Sequence, residues 1–414
     1  MAQQLLYLIL AFLLLEFAFE QLLSFLNLKN WKQPLPEAVS DLFTEEQHRK
    51  AASYAKHNYY FSLISGTFSL LVTLVFLALG GFAKTDAFVR EITQNEILRG
   101  LLFFAILGLA SALINLPFVI YHTFVIEEKF GFNKTTPAVF VGDKLKGVAL
   151  SVVLGGGIYA LLAWVYGLLG ANFWWAAWLV AGSVMVFTAA FYTSVLLPLF
   201  NKLTPLEAGP LRTAIEAYAH HVEFPLQKIM VMDGSKRSSK ANAFFSGIGS
   251  RKSIVLYDTL IQELTVEEIT AVLAHEVGHY KKKHVLQSMV LSLLNLAFLL
   301  FLFGFMAASP LLAEVLGAPQ NSFYLSLVSF SLLYSPVSVL TGIGMNAFSR
   351  KNEYEADRFA RTTFAAMPLV TSLKKLYVNA LGNPNPHPAY VFVHYSHPTL
   401  MERSRMLLKE KGNL

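Results

Sequence analysis

The chain has no cysteine in its 414 residues. That absence excludes disulfides, thiolate metal ligands and a cysteine nucleophile, and it leaves the redox state of the compartment unread. Charge is scarce too: 14% of residues are Asp, Glu, Lys or Arg, against 55% hydrophobic. A soluble enzyme of this length needs a charged surface that this composition does not supply. The balance is that of a polytopic membrane protein. There is no low-complexity segment and no internal repeat. The formal net charge of +6 is not read as a nucleic-acid footprint, because the basic residues lie beside apolar runs and fit membrane topology instead.

Long apolar runs are what the sequence does have. A helix needs about 20 apolar residues to cross roughly 30 Å of hydrocarbon. Seven segments qualify, near 4–26, 59–83, 98–123, 147–169, 173–199, 284–308 and 322–347. The first is no convincing signal peptide, since it lacks a basic start and a small-residue cleavage site. It carries Glu16 and Glu20; an ionisable group at membrane depth usually faces protein or water. With the N-terminus outside, the inward segments 27–58, 124–146, 200–283 and 348–414 hold 30 of the 33 Lys and Arg residues. This bias predicts a cytosolic C-terminus. Four regions follow: five membrane helices over 1–199, an extramembrane segment over 200–283, two further spans over 284–347, and a C-terminal helical segment over 348–414.

His275-Glu276-Val277-Gly278-His279 carries the chemistry. Thr265 and Glu268 form a capping box at the start of a helix, and Val266, Ile269, Val272 and Leu273 continue it at helical spacing. Residues four apart share a helix face, so both imidazoles can bind one Zn²⁺. Glu276 lies about 100° round from His275, placed to take a proton from metal-bound water. A second motif follows the last span, where Glu353 and Asp357 are again four apart. A catalytic zinc site with two His commonly adds a carboxylate and keeps one position open. Spacing alone leaves Glu353, Glu355 and Asp357 as candidates for that carboxylate. Position 285 is valine where an extended three-histidine motif would need His, and His284 is off register. His284 reads as a surface or membrane-interface residue.

Between the fifth span and this helix, the pattern predicts a helix ending near Phe224-Pro225. Three short strands follow, near 228–232, 243–248 and 253–257, with turn chemistry at Gly247, Gly249 and Ser250. An edge strand before a zinc helix can pair with an extended peptide. The basic loop from Gly234 to Lys240 reads as solvated. Lys281 to Lys283 read as a positive stop before the next span.

The chain resembles the Ste24 family of integral-membrane zinc metalloproteases, the type I CAAX prenyl proteases of peptidase family M48. The resemblance rests on Glu127 to Lys134, Phe200 to Leu206, Met232 to Ser239, Asn242 to Phe245, the His275 to His279 motif, Glu353 to Asp357, and His394 to Pro398 with Glu402-Arg403. It implies seven membrane helices in a barrel around a water-filled chamber, closed on the cytosolic side by an α+β zincin-like (gluzincin) domain. It selects Glu353 as the third ligand to one Zn²⁺ per chain and places Asp357 behind a ligand histidine. It sets Asn242, Ala243 and Phe244 against substrate, makes His397 a donor to the reacting carbonyl, and puts Arg403 nearby. One departure is Lys240, where the family often has His. The tail ending Lys411 to Leu414 carries no lipidation signal.

The resulting expectation is a zinc endopeptidase in the bacterial inner membrane or the endoplasmic reticulum, with its site on the cytosolic side and monomeric. Its partners are the lipid bilayer and a peptide or protein substrate, prenylated with a CaaX end or otherwise membrane-associated; nucleic acid is not expected. A broader role in clearing misfolded or stalled membrane proteins is the alternative. A channel or transporter with structural zinc is the non-enzyme rival, but a structural site usually has four protein ligands and three are identifiable. Absent zinc would favour a membrane adaptor.

Overall fold

The computed structural model describes residues 1–31, 33, 43–246 and 252–409. The turn residues Gly247, Gly249 and Ser250 and the tail from Lys411 lie outside these. Among the described residues, six helical stretches are long and apolar enough to cross a membrane: Ala2–Asn30, Glu45–Ala78, Glu96–Phe130, Pro137–Leu199, His284–Ala307 and Phe323–Thr363. The expected spans 147–169 and 173–199 both fall in the fourth stretch, on either side of a 3₁₀ turn at Gly170–Phe173. The expected span 59–83 is cut short instead. Its helix ends at Ala78, and Gly80 takes a left-handed conformation (φ 64°) that a side chain would oppose, before a new helix, Gly81–Ile92.

The last span does not stop at 347. Phe323–Thr363 is one helix of 41 residues, and Glu353 and Asp357 sit on its final turns. Large apolar side chains such as Leu15, Val152, Leu168 and Phe305 remain exposed along the spans, as expected of a surface that faces lipid. Glu20 meets His394, its Oε2 3.3 Å from the ring Nε2.

The extramembrane sheet runs β1-β2-β4-β3. Strand β1 is Leu203–Pro205, β2 Leu226–Met232, β3 Ala243–Ser246 and β4 Lys252–Tyr257. β2 and β4 are parallel, and β3 lies antiparallel to β4 at one edge. Ile215 from the helix Pro210–His221, Ile254 and Leu256 from β4, and Ile269, Leu273 and Val277 from the His275 helix share one core with Ala360, Leu369 and Leu407. Two segments separated by two spans therefore fold as one unit, because each supplies only part of an apolar core.

The Gly234–Lys240 loop is not freely solvated. Arg237 donates from Nε and Nη2 to the Asp143 carboxylate at 2.7 and 2.9 Å. The Lys134 and Ser239 backbone N–H groups donate to the Arg237 and Phe132 carbonyls at 3.1 Å. Lys240 Nζ lies 3.0 Å from Glu127 Oε2 and over the Phe132 ring. This loop clasps the extramembrane unit to the membrane helices through complementary charge.

Candidate metal centre

The His275 helix runs Val266–Lys281, and both halves of the Thr265–Glu268 capping box form. It crosses the Phe323–Thr363 helix at Gly278. A β-carbon on Gly278 would lie 2.9 Å from Ala356 Cα and 3.0 Å from its carbonyl oxygen. Only glycine allows the two backbones to approach this closely. The crossing faces His275 and His279 with Glu353, one turn before Ala356.

His275, His279 and Glu353 each offer an atom within 4.8 Å of the others. The two Nε2 atoms are 3.1 Å apart. Glu353 Oε2 lies 3.3 Å from His275 Nε2, and Oε1 lies 3.2 Å from His279 Nε2. The buried Glu353 Oε2 has no hydrogen-bond partner among the described residues. A buried carboxylate oxygen without a donor is costly. That oxygen, 3.3 Å from His275 Nε2 and 3.6 Å from Arg403 Nη1, belongs to a carboxylate whose other oxygen faces His279 Nε2, and the set fits a cation: the donors are borderline-soft N₂O, as zinc prefers.

His275 is fixed from behind. Its Nδ1 lies 2.7 Å from Asp357 Oδ1, and Asp357 is fully buried. Arg403 donates from Nε and Nη2 to the two Asp357 oxygens at 2.8 and 2.6 Å. Burial and the Arg403 charge press the His275 pKa down, yet the Asp357 and Glu353 carboxylates outweigh both and hold it at about 9. Glu276 is half-buried on the same helix. Burial lifts its carboxyl above the ordinary range, against the pull of the two imidazoles.

His397 stands at the open side, its ring 60% exposed and its Nε2 3.3 Å from Glu353 Oε1. Desolvation by the surrounding protein still lowers its pKa, against the pull of Glu353. β3 packs against the His275 helix. Asn242, just before it, is exposed; Ala243 and Phe244 are half-buried within it. Phe244 meets the Tyr192 and Tyr257 rings.

Two contacts lie beyond what the sequence pattern indicates. His284 is only 2% exposed, not a surface residue. Its Nδ1 lies 3.1 Å from His279 Nδ1, and its Nε2 lies 3.2 Å from Glu355 Oε2. Glu355, one of the three carboxylates that spacing left open, thus faces His284, while Glu353 faces His275 and His279.

Residues 24–202 match the family described as CAAX prenyl protease N-terminal, five membrane helices, and residues 205–411 match peptidase family M48. The CAAX prenyl protease 1 of Saccharomyces cerevisiae is 33% identical, over 95% of this chain and 92% of its own. The human CAAX prenyl protease 1 homolog is 31% identical, over 90% of this chain and 88% of its own. The crystal structure of S. mikatae Ste24p superposes with a TM-score of 0.93 at 32% identity, covering 98% of this chain and 99% of that one. The chain belongs to the Ste24 family of CAAX prenyl proteases. Like the family, it is an integral, multi-pass membrane metallopeptidase.

Proposed function

We propose that this Ste24-family chain is a zinc endopeptidase that cuts near the C-terminus of prenylated or other membrane-associated proteins at the cytosolic face. The observation that carries this reading is the convergence of His275 Nε2, His279 Nε2 and the Glu353 carboxylate within 4.8 Å, with Glu276 beside them on the same helix.

Those three residues would hold one Zn²⁺. When bound, zinc lowers the pKa of a coordinated water toward roughly 7 and polarises a carbonyl. Glu276 accepts a proton from the attacking water and passes it to the leaving amine, a task its burial-raised pKa suits. His397 donates from Nε2 to the oxygen of the scissile carbonyl. Arg403 acts through Asp357, and Asp357 through His275. The outer edge of β3, led by Asn242 and carrying Ala243 and Phe244, pairs with an extended peptide beside the His275 helix. The membrane helices form a seven-helix barrel around a chamber. Substrate chemistry comes from the relatives, whose names state CAAX prenyl protease. The same site admits unprenylated membrane-associated peptides.

The test is mass spectrometry of a farnesylated CaaX peptide and its unprenylated twin after incubation with purified protein. Glu276→Gln and chelator-treated samples run alongside. Loss of three residues from the farnesylated peptide alone supports prenyl-directed cleavage. Cleavage of both supports the broader quality-control role. Full activity in Glu276→Gln overturns the assignment.

A further inference from the structure

We propose that His284 and Glu355 form a hydrogen-bonded relay that orients His279 and fixes its tautomer, so that they position a metal ligand without touching the metal. This rests on the ligand set proposed above.

A histidine that offers Nε2 must carry its proton on Nδ1. His279 turns Nε2 toward Glu353 and His275. Its Nδ1–H therefore needs an acceptor, and His284 Nδ1 lies 3.1 Å away. His284 accepts there only if its own proton sits on Nε2. That nitrogen lies 3.2 Å from Glu355 Oε2, so a carboxylate at the far end selects the tautomer of both rings. His275 gets the same service directly from Asp357 at 2.7 Å. Each ligand histidine is thus backed by a carboxylate, one in contact and one through an intervening imidazole.

The backbone makes the second arrangement possible. Lys283 is left-handed (φ 58°) between two helices. That residue ends the His275 helix and turns the next one so that its first residue meets His279. The rings meet nearly edge to face, centroids 5.1 Å apart at 75°. Glu355 is 36% exposed and its other oxygen lies 3.9 Å from Lys351, which leaves Oε2 to His284.

The experiment measures the zinc dissociation constant by competition with a chromophoric chelator on purified full-length protein. Partners that orient a ligand histidine typically contribute about 10–100-fold to metal affinity. His284→Leu should weaken zinc by that factor. His284→Gln, whose amide can accept from His279 and donate to Glu355, should recover most of it. Glu355→Leu should weaken zinc as well, and it carries the test if His284→Leu fails to fold. Affinity within twofold of the parent in both leucine variants would overturn the relay, as would a His284→Gln protein no tighter than His284→Leu. If the parent itself binds no zinc, it is the ligand assignment that fails.

Discussion

Gly278→Ala should weaken zinc binding by more than tenfold, although it adds a single methyl group that carries no charge. The new β-carbon would lie 2.9 Å from Ala356 Cα and 3.1 Å from Phe359 Cβ. Carbon atoms rest at about 3.5–4.0 Å, so the two helices must part by roughly 0.6–1 Å. Metal–ligand distances tolerate only about 0.2 Å. His275 and His279 flank the methyl on one helix and Glu353 lies one turn from its obstacle on the other, so the separation opens the ligand set itself. Stability is a blunter readout. Overpacking costs about 1–3 kcal/mol, while alanine in place of a mid-helix glycine returns about 1 kcal/mol. Thermal unfolding with and without metal, beside chelator competition, separates the two effects. A variant that binds zinc within twofold of the parent and melts higher would refute the close-crossing argument, since propensity alone predicts that result.

Arg403→Ala leaves the fully buried Asp357 carboxylate without its bidentate partner, and should cost about 3–5 kcal/mol in a denaturation series. Arg403→Lys should recover only part of it, lacking the planar fork. His397→Ala should lower kcat about 10²–10³-fold with one metal per chain retained; unchanged kcat would remove His397 from the chemistry. Glu268 supplies a pH test away from the ligands. Burial alone would raise its carboxyl, but Lys375 and the Thr265 backbone N–H outweigh that and hold it below the ordinary range. Its stabilisation is therefore present above the unfolded pKa of about 4.3 and is lost as pH falls through the lower folded value. Glu268→Gln should flatten that acid limb in a stability–pH series, and an unchanged limb would exclude Glu268 as its source.

The His275 helix was legible because a cap and a regular apolar face both specify it, and it starts where Thr265 and Glu268 place it. β2 and β4 were legible from their β-branched runs. β1 was not, because three residues that include Pro205 show no alternation. The extent of the Glu353 helix was hidden by hydropathy, which falls after residue 347 although the helical hydrogen bonding continues. Spacing misplaces His284 for a geometric reason. Five residues beyond His279 is about 140° round a continuous helix, and no pattern announced that Lys283 would break that helix. Glu353 and Glu355 could not be separated by spacing, because which of them meets the cluster depends on how the helices cross at Gly278 and Ala356.

The helix Phe323–Thr363 contains Pro336 and carries Glu353 on the same uninterrupted backbone. Between those two residues the α-helical rise spans about 25 Å. Over such a lever arm, a reorientation of only about 2° sweeps the carboxylate through almost 1 Å, several times the slack of about 0.2 Å that a coordination bond allows. A bilayer that is too thin or too thick for a span is accommodated by tilting it. For His275, His279 and Glu353 to stay together, any change of tilt in this span would have to carry the His275 helix with it, and the core that Ala360 shares with Ile269, Leu273 and Val277 supplies that link.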